Sequence, residues 1–137
     1  MSEFELHPRL LADTSFIADL TLSRLLLIND SQYPWTLLVP RRPGIKEAHH
    51  LSVEDQQQLL LESNKLCAAM EELFSPDKLN IAAIGNVVPQ LHVHHIARFK
   101  TDACWPAPVW GALPAVPYSE LVKSSLISQL HNAMQSS

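Results

Sequence analysis

Two apolar runs flanking one turn signal limit the fold more than any other feature. "LSRLLLI", Leu22 to Ile28, closes on "NDSQYP", and "WTLLVP" follows and stops at Pro40. Runs this short, rich in Leu and bounded by Asn, Asp, Ser and Pro, read as strands, and so tight a connection returns the second beside the first. Two adjacent antiparallel strands are therefore expected.

The next signal is helical. Ser52 precedes "VEDQQQLLLESNKLCAAMEELF" with Asp55 three residues on, a capping-box-like start. Leu59, Leu66, Met70 and Leu73 recur at helical spacing, and Leu60, Cys67 and Phe74 widen the stripe, which predicts an amphipathic helix over Ser52–Phe74 packed on a sheet. Its Met and Cys are thereby assigned to the core. "SPD" ends the helix, and "KLNIAAIG" and "QLHVHHIAR" read as two further strands joined through "NVVP". "FKTDACWPAPVWGALPAVP" holds too many prolines for regular structure and should form an ordered surface loop, after which Tyr118, Val122, Leu126 and Leu130 mark a terminal helix. Strands in hairpin-like pairs with segregated helices give an α+β class, with one long helix on one face of an antiparallel sheet and a C-terminal helix. A chain of 137 residues, 47% hydrophobic, has the size and core of one domain, expected to span 1–137.

Charge and cysteine usage narrow the function. A formal net charge of −4 argues against a long nucleic acid as partner, while leaving room for a small phosphorylated ligand held by local donors. Cys67 and Cys104 form no C-x-x-C pair and are expected as free thiols in a reducing cytoplasm. The acidic start does not read as a signal peptide, and no apolar run approaches the ~20 residues of a membrane span, so no membrane partner is expected.

The chemistry concentrates in "GNVVPQLHVHHIAR", Gly85 to Arg98. Strand alternation puts Gln90, His92, His94 and Ile96 on one side and Leu91, Val93, His95 and Ala97 on the other. Two imidazoles side by side can attack phosphorus or move a proton near neutrality. They can also ligate a metal with a third ligand, for which His95 is a candidate, or serve as plain hydrogen-bonded sheet residues.

This segment resembles the histidine-triad (HIT) family, whose motif alternates three histidines with apolar residues. Gln90-Leu91-His92-Val93-His94-His95-Ile96 matches it with Gln90 in the first histidine place and His95 at a position that should face the core. Gly85-Asn86-Val87-Val88 resembles the family's preceding loop, with Val87 where part of the family has a phosphate-contacting serine. Arg98 fits the basic residue ending that strand, and Trp105-Pro106 resembles a C-terminal loop of one nucleotide-binding branch. "LLLINDSQYPWTLLVPRR" is similar to the family's paired strands, in which an Asn or Asp ending the first strand grips a ribose; Asn29 and Asp30 stand there. The likeness covers about residues 20 to 112 and points to a bacterial-type hydrolase or nucleotide-binding member.

The resemblance implies His92 as nucleophile and His94 as the stabiliser of developing charge. It further implies Asn29, Asp30, Asn86 and Gln90 as nucleotide-binding residues, a small nucleotide substrate, no cofactor or metal, and a homodimer. A nucleotide-binding module without turnover and a histidine-based metal protein are the rival readings. Trp105 or Trp110, taken as exposed aromatics of the Pro-rich loop, are expected at a subunit contact.

Overall fold

The structure, a computed structural model, describes residues 3–135. In chain order it contains α1 (Pro8–Asp13), β1 (Thr14–Asp19), β2 (Ser23–Ile28), β3 (Trp35–Pro40), a 3-10 turn at Ala48–His50, α2 (Val53–Phe74), β4 (Lys78–Ala83), β5 (Val93–Arg98) and α3 (Glu120–Gln135). The strands form one antiparallel sheet in the order β1-β2-β3-β5-β4. This is the expected α+β architecture, with α1 and β1 as additions that the sequence reading did not assign.

One face of the sheet lies under helices. Leu25, Leu27, Leu38 and Ala97 pack against Leu59, Leu66, Ala69 and Met70 of α2 and Leu130 and Met134 of α3. Each fully buried Leu or Met contributes roughly 1.5–3 kcal/mol on removal from water, so this layer carries most of the apolar stabilisation. Ser52 caps α2 as expected, its Oγ accepting from the Asp55 N–H at 3.1 Å. The Asp55 carboxylate does not turn back into a capping box, because Arg42 holds it through two bonds of 2.7 and 3.1 Å.

The expected α2 stripe needs correcting. Leu60 is 60% exposed and Leu73 lies at the surface, while Glu62 is buried. Leu60 stands about 100° round the helix from Leu59 and so misses the sheet. Glu62 shares the buried side because its carboxylate accepts from the Leu22 and Ser23 N–H groups at 2.7 and 3.0 Å and from the Gln58 amide at 3.1 Å. On the terminal helix Val122 is likewise exposed. The helix begins at Glu120, beyond Tyr118, and its sheet-facing line runs through Leu130 and Met134.

The other face is covered by irregular chain. Leu26, Leu37 and Val39 meet Leu10 and Val88 with Phe4 and Leu6, while Tyr33 and Ile96 meet Val109, Trp35, Cys104 and Trp110. The Pro-rich segment is the ordered loop that was expected. Its anchor is Asp102, which takes the buried Arg98 guanidinium in two bonds of 2.8 and 3.1 Å and also accepts from the Phe99, Cys104 and Trp105 N–H groups. Burial alone would raise the Asp102 carboxyl, but the Arg98 hydrogen bond and these backbone donors outweigh it and hold the group below the usual carboxylate range.

Candidate active site

The histidine strand is built by the alternation read from its sequence. On β5, Val93 and Ala97 belong to the helix-covered core and Ile96 to the loop-covered face. His95 follows the core side. Its Nδ1–H donates to the Val93 carbonyl at 3.1 Å and its Nε2 accepts from the Ser63 hydroxyl of α2 at 2.7 Å. Burial pushes the His95 ring down to about 4, partly opposed by the Val93 carbonyl, so it is neutral at cellular pH.

His92 and His94 face the other way and pack edge to face, their ring centroids 5.0 Å apart. Regular pairing begins only at Val93, so His92 closes the long connection after β4 instead of standing inside the strand as expected. That position lets its ring reach back to its own backbone, where Nδ1 lies 2.7 Å from the Gln90 carbonyl. A carbonyl only accepts, so Nδ1 carries the hydrogen and, in the neutral ring, Nε2 holds the lone pair.

His94 has the opposite tautomer. The indole N–H of Trp35 lies 3.0 Å from its Nδ1 and that of Trp110 lies 3.4 Å from the same nitrogen. An indole N–H only donates, so Nδ1 accepts and the hydrogen of the neutral ring sits on Nε2. Burial, reinforced by His92 and His95, drives His94 down to about 4. The face therefore carries one imidazole whose neutral form has its lone pair on Nε2 and one whose neutral form has its hydrogen there.

One cavity borders His92 and a second borders Trp35, the partner of His94. The first, of about 200 Å³, is bounded by His92, Gln90, Leu91, Gly85, Lys46 and Glu47. The other, about 370 Å³, is lined by Ile28, Asn29, Asp30, Trp35, Val109 and Leu113. The rings of Trp35, His94 and His92 pack in series, Trp35 lining the larger cavity and His92 the smaller. A third cavity, about 300 Å³ beside the β1–β2 turn, contains no histidine and stands apart from this chemistry.

A model of the HIT domain matches residues 9–101. A histidine triad protein from Bradyrhizobium japonicum is 47% identical, with 97% of this chain and 99% of that one covered and a TM-score of 0.95. One from Marinobacter aquaeolei is 48% identical over 98% of each chain at a TM-score of 0.95. Another, from Sinorhizobium meliloti, is 40% identical over 95% and 96% at 0.93. No curated protein matches the chain.

The chain belongs to the HIT family.

In this HIT domain the six residues singled out from the sequence have different surroundings. His92 and His94 are adjacent. Asn86 is exposed on the connection between β4 and β5, following Gly85, whose φ of +69° suits a residue without a side chain. Gln90 spends its amide on the N-terminal segment, accepting from the His7 N–H at 2.9 Å and donating to the Glu5 carbonyl at 2.8 Å. Asn29 and Asp30 border the larger cavity, yet their side chains hold the segment before α3. Asn29 accepts from the Tyr118 N–H at 3.0 Å, and Asp30 from the Val116 and Gln32 N–H groups at 3.3 and 3.1 Å.

Trp35 and Trp110 are the site residues that sequence reasoning missed. Trp35 was findable, since alternation along β3 puts it on the same face as Leu37, which pairs with His94. Trp110 gave no comparable signal beyond its aromatic character. Nor are the loop tryptophans exposed: Trp105 lies over the Arg98 guanidinium at 5.6 Å, and Trp110 packs on Trp35 and His94 at 6.3 and 5.2 Å. Trp105 thus has a cationic partner and Trp110 aromatic ones within the chain.

Proposed function

We propose that this HIT protein is a nucleotide-binding hydrolase that cleaves a nucleotidyl bond, of a dinucleoside polyphosphate or a nucleoside phosphoramidate, through a nucleotidyl-histidine on His92. The observation that carries the reading is the 2.7 Å bond from His92 Nδ1–H to the Gln90 carbonyl, which directs the lone pair to Nε2. That nitrogen attacks the α-phosphorus and the leaving group departs. Water then displaces the nucleotide and returns the electron pair to the ring, so one hard displacement becomes two easier ones. His94 donates from Nε2–H to oxygens whose charge grows in the transition state. Gln90 stands in the first triad place, where its carbonyl orients His92 and its side chain ties down the N-terminal segment. Asn29 and Asp30 at the larger cavity and Asn86 on the loop are the proposed ribose and phosphate contacts.

Two copies are proposed to pair through β4. It is an edge strand of the sheet, with Ile81 50% exposed and Ile84 exposed beyond its end. A cytoplasmic setting accords with the two free thiols, and no helix among the described residues is long and apolar enough to cross a membrane.

The rival reading, a nucleotide-binding module without turnover, draws support from the engagement of Asn29, Asp30 and Gln90 by the chain's own backbone. The metal reading is weakened because His95 faces α2, and no cluster of three His, Cys, Asp or Glu suited to a metal occurs among the described residues. Release of mononucleotide from adenosine and guanosine phosphoramidates and dinucleoside polyphosphates, measured with the wild type and His92→Ala, tests the proposal. Turnover that disappears in the variant supports it. Tight AMP binding without turnover by the wild type establishes the module instead.

A further inference from the structure

A hydrolase needs a group to manage the charge or the proton of whatever leaves, and here the choice of group is restricted. The side chains at the triad positions are His92, His94 and Gln90. His92 Nδ1–H is held by a backbone carbonyl and its Nε2 is the attacking atom. Gln90 is an amide with both ends engaged by Glu5 and His7. Val87, in the loop leading to the triad, has no hydroxyl. Of the side chains at the triad and its leading loop this leaves His94, while Lys46 and Glu47 line the His92 cavity. The two indoles bear on His94 directly.

We propose that Trp35 and Trp110 are positioning residues whose N–H groups occupy Nδ1 of His94 and fix it as a neutral Nε2–H donor, which suits the site to a polyphosphate leaving group over an amine. The inference rests on the hydrolase reading above. To become an acid, His94 would have to take a proton at Nδ1, where it would meet two N–H donors at 3.0 and 3.4 Å. Both indoles would have to turn away, within a cluster where Trp35 and Trp110 pack on each other at 6.3 Å and on the His94 ring at 5.9 and 5.2 Å. The titratable groups acting on the ring are His92 beside it and His95 on the reverse of the strand, and both disfavour a positive charge there.

The chemistry follows from the atom balance. As Nε2 of His92 bonds to the α-phosphorus, the bridging P–O bond breaks and its electron pair leaves on a nucleotide or polyphosphate oxygen. That anion is weakly basic and departs without a proton, needing only hydrogen bonds and positive charge, which His94 Nε2–H and Lys46 at the His92 cavity can supply. Water then attacks the phosphorus, the N–P bond breaks, its pair returns to Nε2, and the proton passes to solvent. In a phosphoramidate the corresponding P–N cleavage would expel a strongly basic amide anion unless nitrogen were protonated first. Neutral His94 is not the acid for it, because giving up its one N–H would leave an imidazolate, and the imidazolium that could protonate nitrogen needs a proton on the Nδ1 that the indoles occupy.

The test joins a spectroscopic and a kinetic arm. Long-range ¹H–¹⁵N spectra of the His94 ring, recorded between pH 5 and 8, should show the Nε2–H form throughout in the wild type. Trp35→Phe should admit the Nδ1–H or charged form within that range, and Trp110→Phe should do so to a smaller degree. A His94 ring unchanged in both variants would overturn the positioning role. In the kinetic arm, the wild type should cleave diadenosine tetraphosphate at least about tenfold faster than an adenosine 5′-phosphoramidate. Trp35→Phe should lower kcat on the tetraphosphate about tenfold, the loss of roughly one hydrogen bond, with KM little changed. Equal wild-type rates on the two substrates would overturn the leaving-group assignment. No turnover of either would defeat the hydrolase reading and the substrate preference together, while the spectra would still decide the role of the tryptophans.

Discussion

The two faces of the sheet are stabilised by different means, and the histidine strand shows the contrast within a single residue step. His95, on the helix side, has both ring nitrogens satisfied by the Val93 carbonyl and the Ser63 hydroxyl. His94, on the loop side, has Nδ1 occupied by two indoles and Nε2–H left to donate. Helices cover their face with aliphatic side chains, whereas the N-terminal segment and the Pro-rich loop cover theirs through polar anchors at Gln90, Asn29, Asp30 and Asp102. Under the polar cover a ring N–H is left to donate; under the helices both ring nitrogens are taken.

The largest expected effect comes from cutting the loop-side anchor. Asp102→Ala leaves the buried Arg98 charge without its carboxylate, although Asn80 Oδ1 still accepts from it at 2.9 Å. A loss of about 3–5 kcal/mol in urea unfolding is expected. If the variant unfolds within about 1 kcal/mol of the wild type, the loop face does not depend on this pair.

Acid reaches both faces. His94 and His95 have folded values near 4 against 6.5 for the free side chain, so between these limits the unfolded chain binds more protons. Their contribution is fully present above about pH 6.5 and is lost as pH falls toward 4, at up to about 1.4 kcal/mol per pH unit for each ring. Urea midpoints measured across pH 4–7 should show this slope, and His95→Asn should remove part of it. A flat profile would mean that neither ring is held neutral by burial.

The sequence disclosed the helix side more fully than the loop side. The Ser52 cap and the spacing of Leu59, Leu66 and Met70 are local signals, and they placed α2 correctly. Three consecutive leucines, Leu59 to Leu61, blurred which edge of the stripe is buried, and only the distant N–H groups of Leu22 and Ser23 explain why Glu62 lies inside. α1 and β1 escaped because no turn residue separates Asp13 from Thr14, and because His7, an unusual cap, accepts from the Arg9 N–H to start the helix. In the site, alternation put His92 and His94 together. The commitments of Gln90 to Glu5 and of Asn29 to Tyr118 join residues 85 and 89 positions apart, which no local pattern reports.

A smaller effect should sharpen the comparison at Gln90. Gln90→Ala removes two bonds to the N-terminal segment and should cost about 1–2 kcal/mol. It should also speed amide exchange at His7 while leaving Ser63 and Leu66 protected. Equal loosening on the α2 side would mean that the two faces do not open independently.

The central claim is that His92, alone among the histidines, uses Nε2 as the nucleophile. Turnover of diadenosine tetraphosphate quenched with denaturant at alkaline pH, where a phosphorus–nitrogen bond to histidine survives, and read by intact-protein and peptide mass, tests it directly. The account predicts an added nucleoside monophosphate mapped to His92 in the wild type and absent in His92→Ala. An adduct on His94, or the same adduct in the variant, would contradict it.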